Sequence, residues 1–268
     1  MDDLSDLHRV ITMMALELDA HCKANGIAYY MMGGTALGAM RHKGFIPWDD
    51  DFDVFMDRPN YEKFLTSAPS SMDPDKYYIQ RENTPEWPMF FSKLRLNKTE
   101  YLESDTMGRD QHQGIFIDVM CLNGAFSTIA FRKWQYRAAR VLSAHALARR
   151  GYATNSLSKK IVMFVARYLC VGPIKAGLLR FVRGGRKRHK TPLVGHFFGR
   201  APFKSTTFPR RYLGTPRYVP FEQTELPVPE EAEEYLTIRF GRRYMDPPSE
   251  VVKASFPSHA VRYDVGGW

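Results

Sequence analysis

Acidic residues are missing from a long stretch of this chain. Between Asp118 and Glu222 there is no Asp or Glu, and 21 of the 38 Lys and Arg fall in that interval. The formal net charge of +9 therefore hides a basic middle flanked by acidic ends. Such a block meets a polyanion or an anionic membrane, or it is a solvated cationic surface. The exclusion of acids over so long an interval weighs against the last. Cysteine is scarce as well. Cys22, Cys121 and Cys170 show no CxxC or zinc-ribbon spacing, and an odd count gives no disulfide framework, so a reducing compartment is expected. No uncharged apolar run approaches the length of a membrane span. The opening MDDLSDLHRV lacks the basic-then-apolar order of a signal peptide. These absences point to a soluble or peripheral protein, cytoplasmic and lying at the inner face of the membrane. Aromatic residues, in contrast, are plentiful: 18 Phe, 14 Tyr and 4 Trp exclude a disordered chain. A length of 268 residues suffices for one sizeable core or two small ones.

Periodicity divides the chain into three parts, 1–124, 125–190 and 191–268. In the first, Leu4, Leu7, Val10, Ile11, Met14 and Leu18 predict an amphipathic helix over 3–25, ended by Asn25-Gly26. Residues 27–32 read as a buried strand running into Gly33-Gly34, with a short helix over 35–40. Residues 51–56 alternate as a strand, Pro59 opens a helix, and 77–81, 89–96 and 114–122 are further strands. This is a mixed α/β pattern. The second part is Arg-rich and helical over 126–150 and 157–183, kinked at Gly172-Pro173 and followed by the basic loop 184–190. The third reads as irregular over 191–229, with a last helix over 230–240 packing on the core.

The chemistry gathers in 31-MMGGTALGAMRHKGFIPWDDDFDVFMD-57. A strand that ends in Gly33-Gly34-Thr35 at a helix start exposes backbone N–H groups to which a phosphate can come close. Alone, such a pair is most often a tight turn. Asp51 and Asp53, two apart on a strand, share a face, and carboxylates so placed repel unless a cation lies between them. Mg²⁺ or Mn²⁺ suits such ligands. Asp49 and Asp50 precede the strand and are assigned to the turn. Asp118 is the one charge in 114-GIFIDVMCL-122. It is a third metal ligand, a base for an acceptor hydroxyl, or a structural acid paired with an arginine. Gly-Gly-Thr, then Asp-x-Asp, then a distant Asp is the order of a nucleotidyltransferase-type core.

Over GTALGAMRHKGFIPWDDDFDVFMDRPNYEKF the sequence resembles the signature of the LicD family, and 92-SKLRLNKTEY-101, 114-GIFIDVM-120 and 226-LPVPEEAEEYLTIRFGRRYMDPP-248 look like the same family. The resemblance implies an α+β, nucleotidyltransferase-like mixed sheet core. It implies transfer of a phospho-alcohol, typically phosphocholine from CDP-choline, to a hydroxyl of a cell-surface glycan (lipopolysaccharide or teichoic acid) or its lipid-linked precursor, with CMP leaving. Gly33, Gly34 and Thr35 would then hold the pyrophosphate, Asp51 and Asp53 the Mg²⁺, and Asp118 would complete the metal site or act as base. Arg41, His42 and Lys43, and the same-facing Lys93 and Arg95, are candidates for the donor phosphates. Asp50 and His259 have uncertain roles. Trp48, Trp87 and Tyr101 are candidates for an aromatic cage around a quaternary ammonium. The segment after Lys-Leu-Arg, where the family often carries an acid, reads Leu96-Asn97-Lys98 here.

Two other functions remain open: transfer of the nucleotide itself from an NTP, and a non-catalytic scaffold that binds membrane or polyanion. The basic middle is expected to meet an anionic membrane or the acceptor. No RRM, KH or zinc-finger signature is present, so nucleic acid is not an expected partner.

Overall fold

In the computed structural model, residues 4–103, 111–184, 191–249 and 260–268 are described. Helix α1 (Ser5–Ala24) buries Leu7, Val10, Ile11, Met14 and Leu18 along one face, the face the 3.6-residue period marks out, and stops where Gly26 takes a positive φ. The chain then forms β1 (Tyr30–Met31), α2 (Gly33–His42), β2 (Asp53–Asp57) and α3 (Arg58–Ser71). Asp57 caps α3, its carboxylate accepting from the Asn60 N–H at 3.2 Å, and Pro59 sits in the first turn, where its missing donor costs nothing. Strands β3 (Tyr77–Gln80), β4 (Ser92–Leu96), β5 (Glu100–Glu103) and β6 (Phe116–Gly124) complete the first part.

The central sheet runs β1-β2-β6-β4-β3. β2 and β6 are parallel, and the remaining pairs along this path are antiparallel. This is the expected mixed α/β core. β1 is shorter than the expected 27–32 strand. β2 begins at Asp53 rather than Asp51, because its pairing with β6 starts at Asp53↔Asp118; Asp51 lies in the segment before the strand. Phe52, fully buried, meets Phe221 edge to face at 5.4 Å, and Phe45 joins both. Burial of one such ring stabilises the fold by about 1.5–3 kcal/mol.

The basic middle forms α4 (Ile129–Arg150), α5 (Leu157–Leu169) and α6 (Gly172–Arg183). The break between α5 and α6 falls at Cys170-Val171, just before the expected Gly172-Pro173, which instead opens α6; the axis bends there by 110°. A second apolar core joins Ala139, Leu142 and Ala146 of α4 to Cys170, Val182, Phe90, Phe197 and Phe198. This core draws on all three parts of the chain.

The stretch 191–229, expected to be irregular, holds β7 (Leu193–Gly195), β8 (Thr207–Pro209), β9 (Arg217–Phe221) and β10 (Thr224–Val228). β7 extends the central sheet from the end of β6, and β9 and β10 form a hairpin. Their proline and glycine content disguised them, since each strand is five residues or fewer. α7 (Ala232–Phe240) follows, and β11 (Ala260–Asp264) pairs with β5. Among the described residues no single helix is long and apolar enough to cross a membrane.

Candidate active site

Three neighbouring strands put three charges in a row. Asp53 on β2 is the Cα partner of Asp118 on β6, and Asp118 is the Cα partner of Lys93 on β4. Strands lie about 4.8 Å apart. The three side chains line one cleft of about 720 Å³, together with Asp49, Asp51 and Gly33. Lys93 Nζ is 2.9 Å from Asp118 Oδ1, and both groups are buried. Burial pushes the Asp118 carboxyl up and the Lys93 ammonium down, and each charge opposes that shift in the other. Asp118 thus has a lysine for its partner, where an arginine was one of the expectations. Asp53 is held well above the usual carboxylate range, first by burial and then by Asp51, Asp118 and Asp49, against the pull of Lys93.

The glycines accommodate these acids. Gly33 sits at φ +65°, a left-handed conformation that glycine adopts freely, and a Cβ there would stand 3.2 Å from Asp53 Oδ2. At Gly34 a Cβ would stand 2.8 Å from Asp49 Oδ2. The Gly33 N–H donates to the Tyr235 hydroxyl at 3.0 Å, and the Asp53 N–H donates to Thr35 Oγ1 at 2.8 Å. Thr35 is therefore buried behind the acid, fixing its backbone, and α7 reaches the start of α2 through Tyr235. Burial pushes the Tyr235 phenol up to about 12, so it stays protonated at neutral pH.

Asp49, assigned to the turn from sequence, closes that turn on the Ile46 carbonyl and also lines the cleft. Asp50 does not: it is buried and accepts from the Ala260 N–H at 2.8 Å, tying β11 to the core. Arg41, His42 and Lys43 are not at the cleft either. They occupy the last turn and cap of α2, about 14 Å from Gly33 at 1.5 Å per residue. Arg41 donates to the Tyr244 and Asp246 carbonyls, His42 meets Trp48 edge to face, and Lys43 receives the Glu222 N–H. Arg95 shares a face with Lys93, as expected, and both stand over the Phe116 ring, but Arg95 does not line the cleft. It is buried away from the cleft, donating to Gln80 Oε1 at 2.7 Å and the Gly114 carbonyl at 2.6 Å.

The three cage candidates also lie elsewhere. Trp48 packs on the main core. Tyr101 is buried against Phe116. Trp87 is fully buried under Lys93 and Arg150. The aromatic side chains that do line the cleft include Phe55, Phe91, Tyr152 and Phe198. His259 lies outside the described residues.

Sequence reasoning missed the opposite wall. Helix α4 lines the cleft with Arg140, Ser143, Leu147 and Arg150, spaced i, i+3, i+7, i+10. That spacing was the available signal. Arg150 pairs with Glu103 at 2.7 Å. Arg140 donates to the Phe197 and Gly199 carbonyls, and Arg239 of α7 lines the same cleft. Among the described residues neither Arg140 nor Arg239 makes an ion pair with a carboxylate. His196 stands near both. Its Nδ1 faces the Cys121 carbonyl at 3.3 Å, and its Nε2 is buried without a hydrogen-bond partner. Burial pushes the imidazole down to about 4, with Arg140 and Arg239 adding to the shift and the Cys121 carbonyl opposing it. It is neutral at pH 7.

The cleft thus has an acidic floor at the start of α2 and a cationic wall on α4 and α7. Residues 26–144 match the family model described as LicD/FKTN/FKRP, nucleotidyltransferase domain. Residues 26–144 are a LicD-family domain. The acids, Lys93 and Arg140 fall inside it; His196, Tyr235 and Arg239 complete the cleft from outside it. A lipopolysaccharide cholinephosphotransferase, LicD, of Haemophilus influenzae is 56% identical over 46 residues, which are 17% of each chain. An uncharacterised protein of Rickettsia prowazekii is 42% identical over 48 residues, 17% of this chain and 18% of its own. One from Rickettsia typhi is also 42% identical over 48 residues, 17% and 16% of the two chains. The matched segments span less than a fifth of these relatives.

The LicD-family domain offers a donor set that fits a hard divalent cation. Asp49, Asp51 and Asp53 all line the cleft and offer only carboxylate oxygens, the donor type such an ion prefers, and Asp53 is crowded by the other two. Among the described residues no three such side chains are drawn into a ligating cluster, so the carboxylates would have to close around the ion.

Proposed function

We propose that the protein transfers a phospho-alcohol, phosphocholine in the first instance, from a CDP-linked donor to a hydroxyl of a glycan or its lipid-linked precursor, releasing CMP. The observation that carries this reading is the in-register row Asp53, Asp118, Lys93 on the floor of the cleft. Asp118 has its counter-charge in Lys93, whereas Asp53 is crowded by like charge. Asp53 with Asp51 and Asp49 would hold Mg²⁺ or Mn²⁺, and that ion supplies charge neutralisation at the donor's phosphate oxygens. This leaves Asp118 as the base, its charged form favoured by Lys93 against the opposing effect of burial.

In the transfer, the acceptor oxygen bonds to the phosphorus bearing the alcohol and gives its proton to Asp118. The bond from that phosphorus to the bridging oxygen breaks, and CMP departs with the electron pair. Arg140 and Arg239 receive the phosphate charge from the other wall. The neutral His196 presents its Nε2 lone pair to a substrate hydroxyl or amino group. Phe55, Tyr152 and Phe198 line the cleft and are the aromatic candidates for contact with a quaternary ammonium. The cholinephosphotransferase named among the relatives supports choline as the alcohol and lipopolysaccharide as the acceptor class.

The test separates group transfer from nucleotide transfer. Protein with Mg²⁺ and an acceptor glycan is incubated with CDP-choline or with CTP. CMP release from CDP-choline, dependent on the acceptor, is expected. Pyrophosphate release from CTP with no CMP from CDP-choline would replace this reading with a nucleotidyltransferase.

A further inference from the structure

Among the described residues, helix α5 has no apolar partner over most of its surface. Of its thirteen residues only Ala166 is buried. Leu157 is 71% exposed, Phe164 64%, Tyr168 61% and Leu169 64%, and Ile161 and Val165 are exposed beside them. Leu157, Ile161, Phe164, Val165 and Tyr168 recur at i, i+4, i+7, i+8 and i+11, which puts them on one face. Ala166 is on the opposite side and packs toward α4, where its carbonyl faces His145 Nδ1 at 3.0 Å. Arg167 also donates to the Ala148 carbonyl of α4. The helix is thus pinned along its back with its apolar face outward.

Charge selects what covers that face. Lys159, Lys160 and Arg167 belong to the same helix, and the surrounding interval 119–221 has no acid. A second copy of this chain would bring the same cations against these and be repelled. An anionic surface that also accepts apolar side chains satisfies both features. We propose that α5 docks flat on an anionic lipid bilayer, inserting Ile161, Phe164 and Tyr168 among the acyl chains while Lys160, at the flank of that face, meets the headgroups.

Two features favour docking over crossing. α5 and α6 together have the length and apolar content for a bent pair, with an axis change of 110°. But α6 is tied down: Val182 is fully buried in the second core, and Arg183 pairs with Glu82 at 2.6 Å. The pair therefore cannot leave the protein without dismantling that core. The docking also has a consequence for the cleft. α4 presents Arg140, Ser143 and Leu147 to the cleft and holds α5 on its other side through His145. One helix thus separates the bilayer from the reaction site, and a lipid-linked acceptor would meet the cleft at the membrane surface. The docking stands whether or not the donor is CDP-choline.

Flotation of the full chain with vesicles tests it. Two compositions are compared, phosphatidylcholine alone and phosphatidylcholine mixed with phosphatidylglycerol. The protein is expected to float with the mixed vesicles, at least about tenfold more than with the neutral ones. I161E/F164E/Y168E should abolish flotation while thermal unfolding and CMP release from CDP-choline with a soluble acceptor stay unchanged. K160E should weaken it and make it less sensitive to salt. Equal flotation with both compositions, or with neither, overturns the proposal. So does a concentration-dependent dimer in light scattering that the triple variant dissolves while flotation persists.

Discussion

Lys93 and Asp118 form a buried ion pair, 2.9 Å apart, on adjacent antiparallel strands at the floor of the cleft. Asp53 sits on the other side of Asp118. The lysine therefore serves both stability and chemistry: without it, two neighbouring carboxylates would share one buried site. Removing one partner of such a pair leaves an uncompensated charge, which typically costs about 3–5 kcal/mol. Lys93→Met is expected to destabilise the protein by that order in urea unfolding at neutral pH. Lys93→Met with Asp118→Asn should recover most of the loss. The recovered protein should still lack transferase activity, because the base is gone.

Asp53 makes the opposite prediction. Its folded-state carboxyl is raised, so the folded state holds a proton that the unfolded chain has already lost. The stability this provides is full below the ordinary carboxylate range. It is lost as pH rises through the folded value. Asp53→Asn should therefore be more stable than the parent at neutral pH without metal, and the difference should shrink as pH falls toward the ordinary carboxylate range. Mg²⁺ should reverse the ranking. Saturation at about a hundred times its Kd adds about 2.7 kcal/mol to a protein with the site. Thermal unfolding with and without Mg²⁺ measures both arms. A metal shift as large in Asp53→Asn as in the parent would remove this acid from the metal site.

How much of this could be read from the sequence depended on how local each feature was. The α1 face, a sharp bend beside Gly172-Pro173 and the closeness of Gly33 to Asp53 all follow from short spacings, and they are present in the structure. The LicD resemblance was equally local, carried chiefly by the stretch from Gly34 to Phe64 with shorter ones at 92–101, 114–120 and 226–248. Charge partners were not legible. Lys93 and Arg95 have the same spacing as any strand pair, yet one meets Asp118 in the cleft and the other is spent on Gln80 and Gly114. Arg41, His42 and Lys43 follow the glycines closely in sequence, but a helix carries them away from the site at 1.5 Å per residue. Asp49 took its place in the cleft through a turn whose direction no pattern encodes. The cationic wall comes from α4 and α7, about a hundred residues apart at Arg140 and Arg239 in part because β7 to β10 fold between them, and only the fold joins them.

Gly34 gives a narrow steric test of the acidic floor. A methyl group at this position would meet Asp49 Oδ2 at 2.8 Å, and the carboxylate is the part able to yield. Gly34→Ala is expected to fold with a stability change within about 1 kcal/mol, since alanine is favoured over glycine in a helix. Its apparent affinity for Mg²⁺ in the transfer reaction should nonetheless weaken. Gly33→Ala differs because its φ is +65°, where a Cβ costs roughly 1–2 kcal/mol. It should lose both stability and activity. Metal titrations of activity alongside unfolding curves separate the two glycines.

The cationic wall is tested by comparing arginines that differ only in where the fold puts them. Arg140 and Arg239 line the cleft and make no ion pair among the described residues, so their charge is available to a phosphate. Arg41 holds the Tyr244 and Asp246 carbonyls at the far end of α2. A charge-assisted hydrogen bond contributes about 1.5–3 kcal/mol, or roughly ten- to a hundredfold in binding or rate. Arg140→Ala and Arg239→Ala should each lower kcat/KM for CDP-choline by about that factor. If the contact is made equally to bound donor and transition state, the loss falls on KM; if it strengthens as CMP departs, it falls on kcat. Arg41→Ala should leave both constants near those of the parent while lowering thermal stability slightly. Arg140→Lys should recover part of the loss, as a single charge can replace the electrostatic share but not the forked geometry. Steady-state kinetics with CDP-choline as the varied substrate distinguishes these outcomes, and an Arg41→Ala defect as large as that of Arg140→Ala would return the donor phosphates to the basic cluster after the glycines.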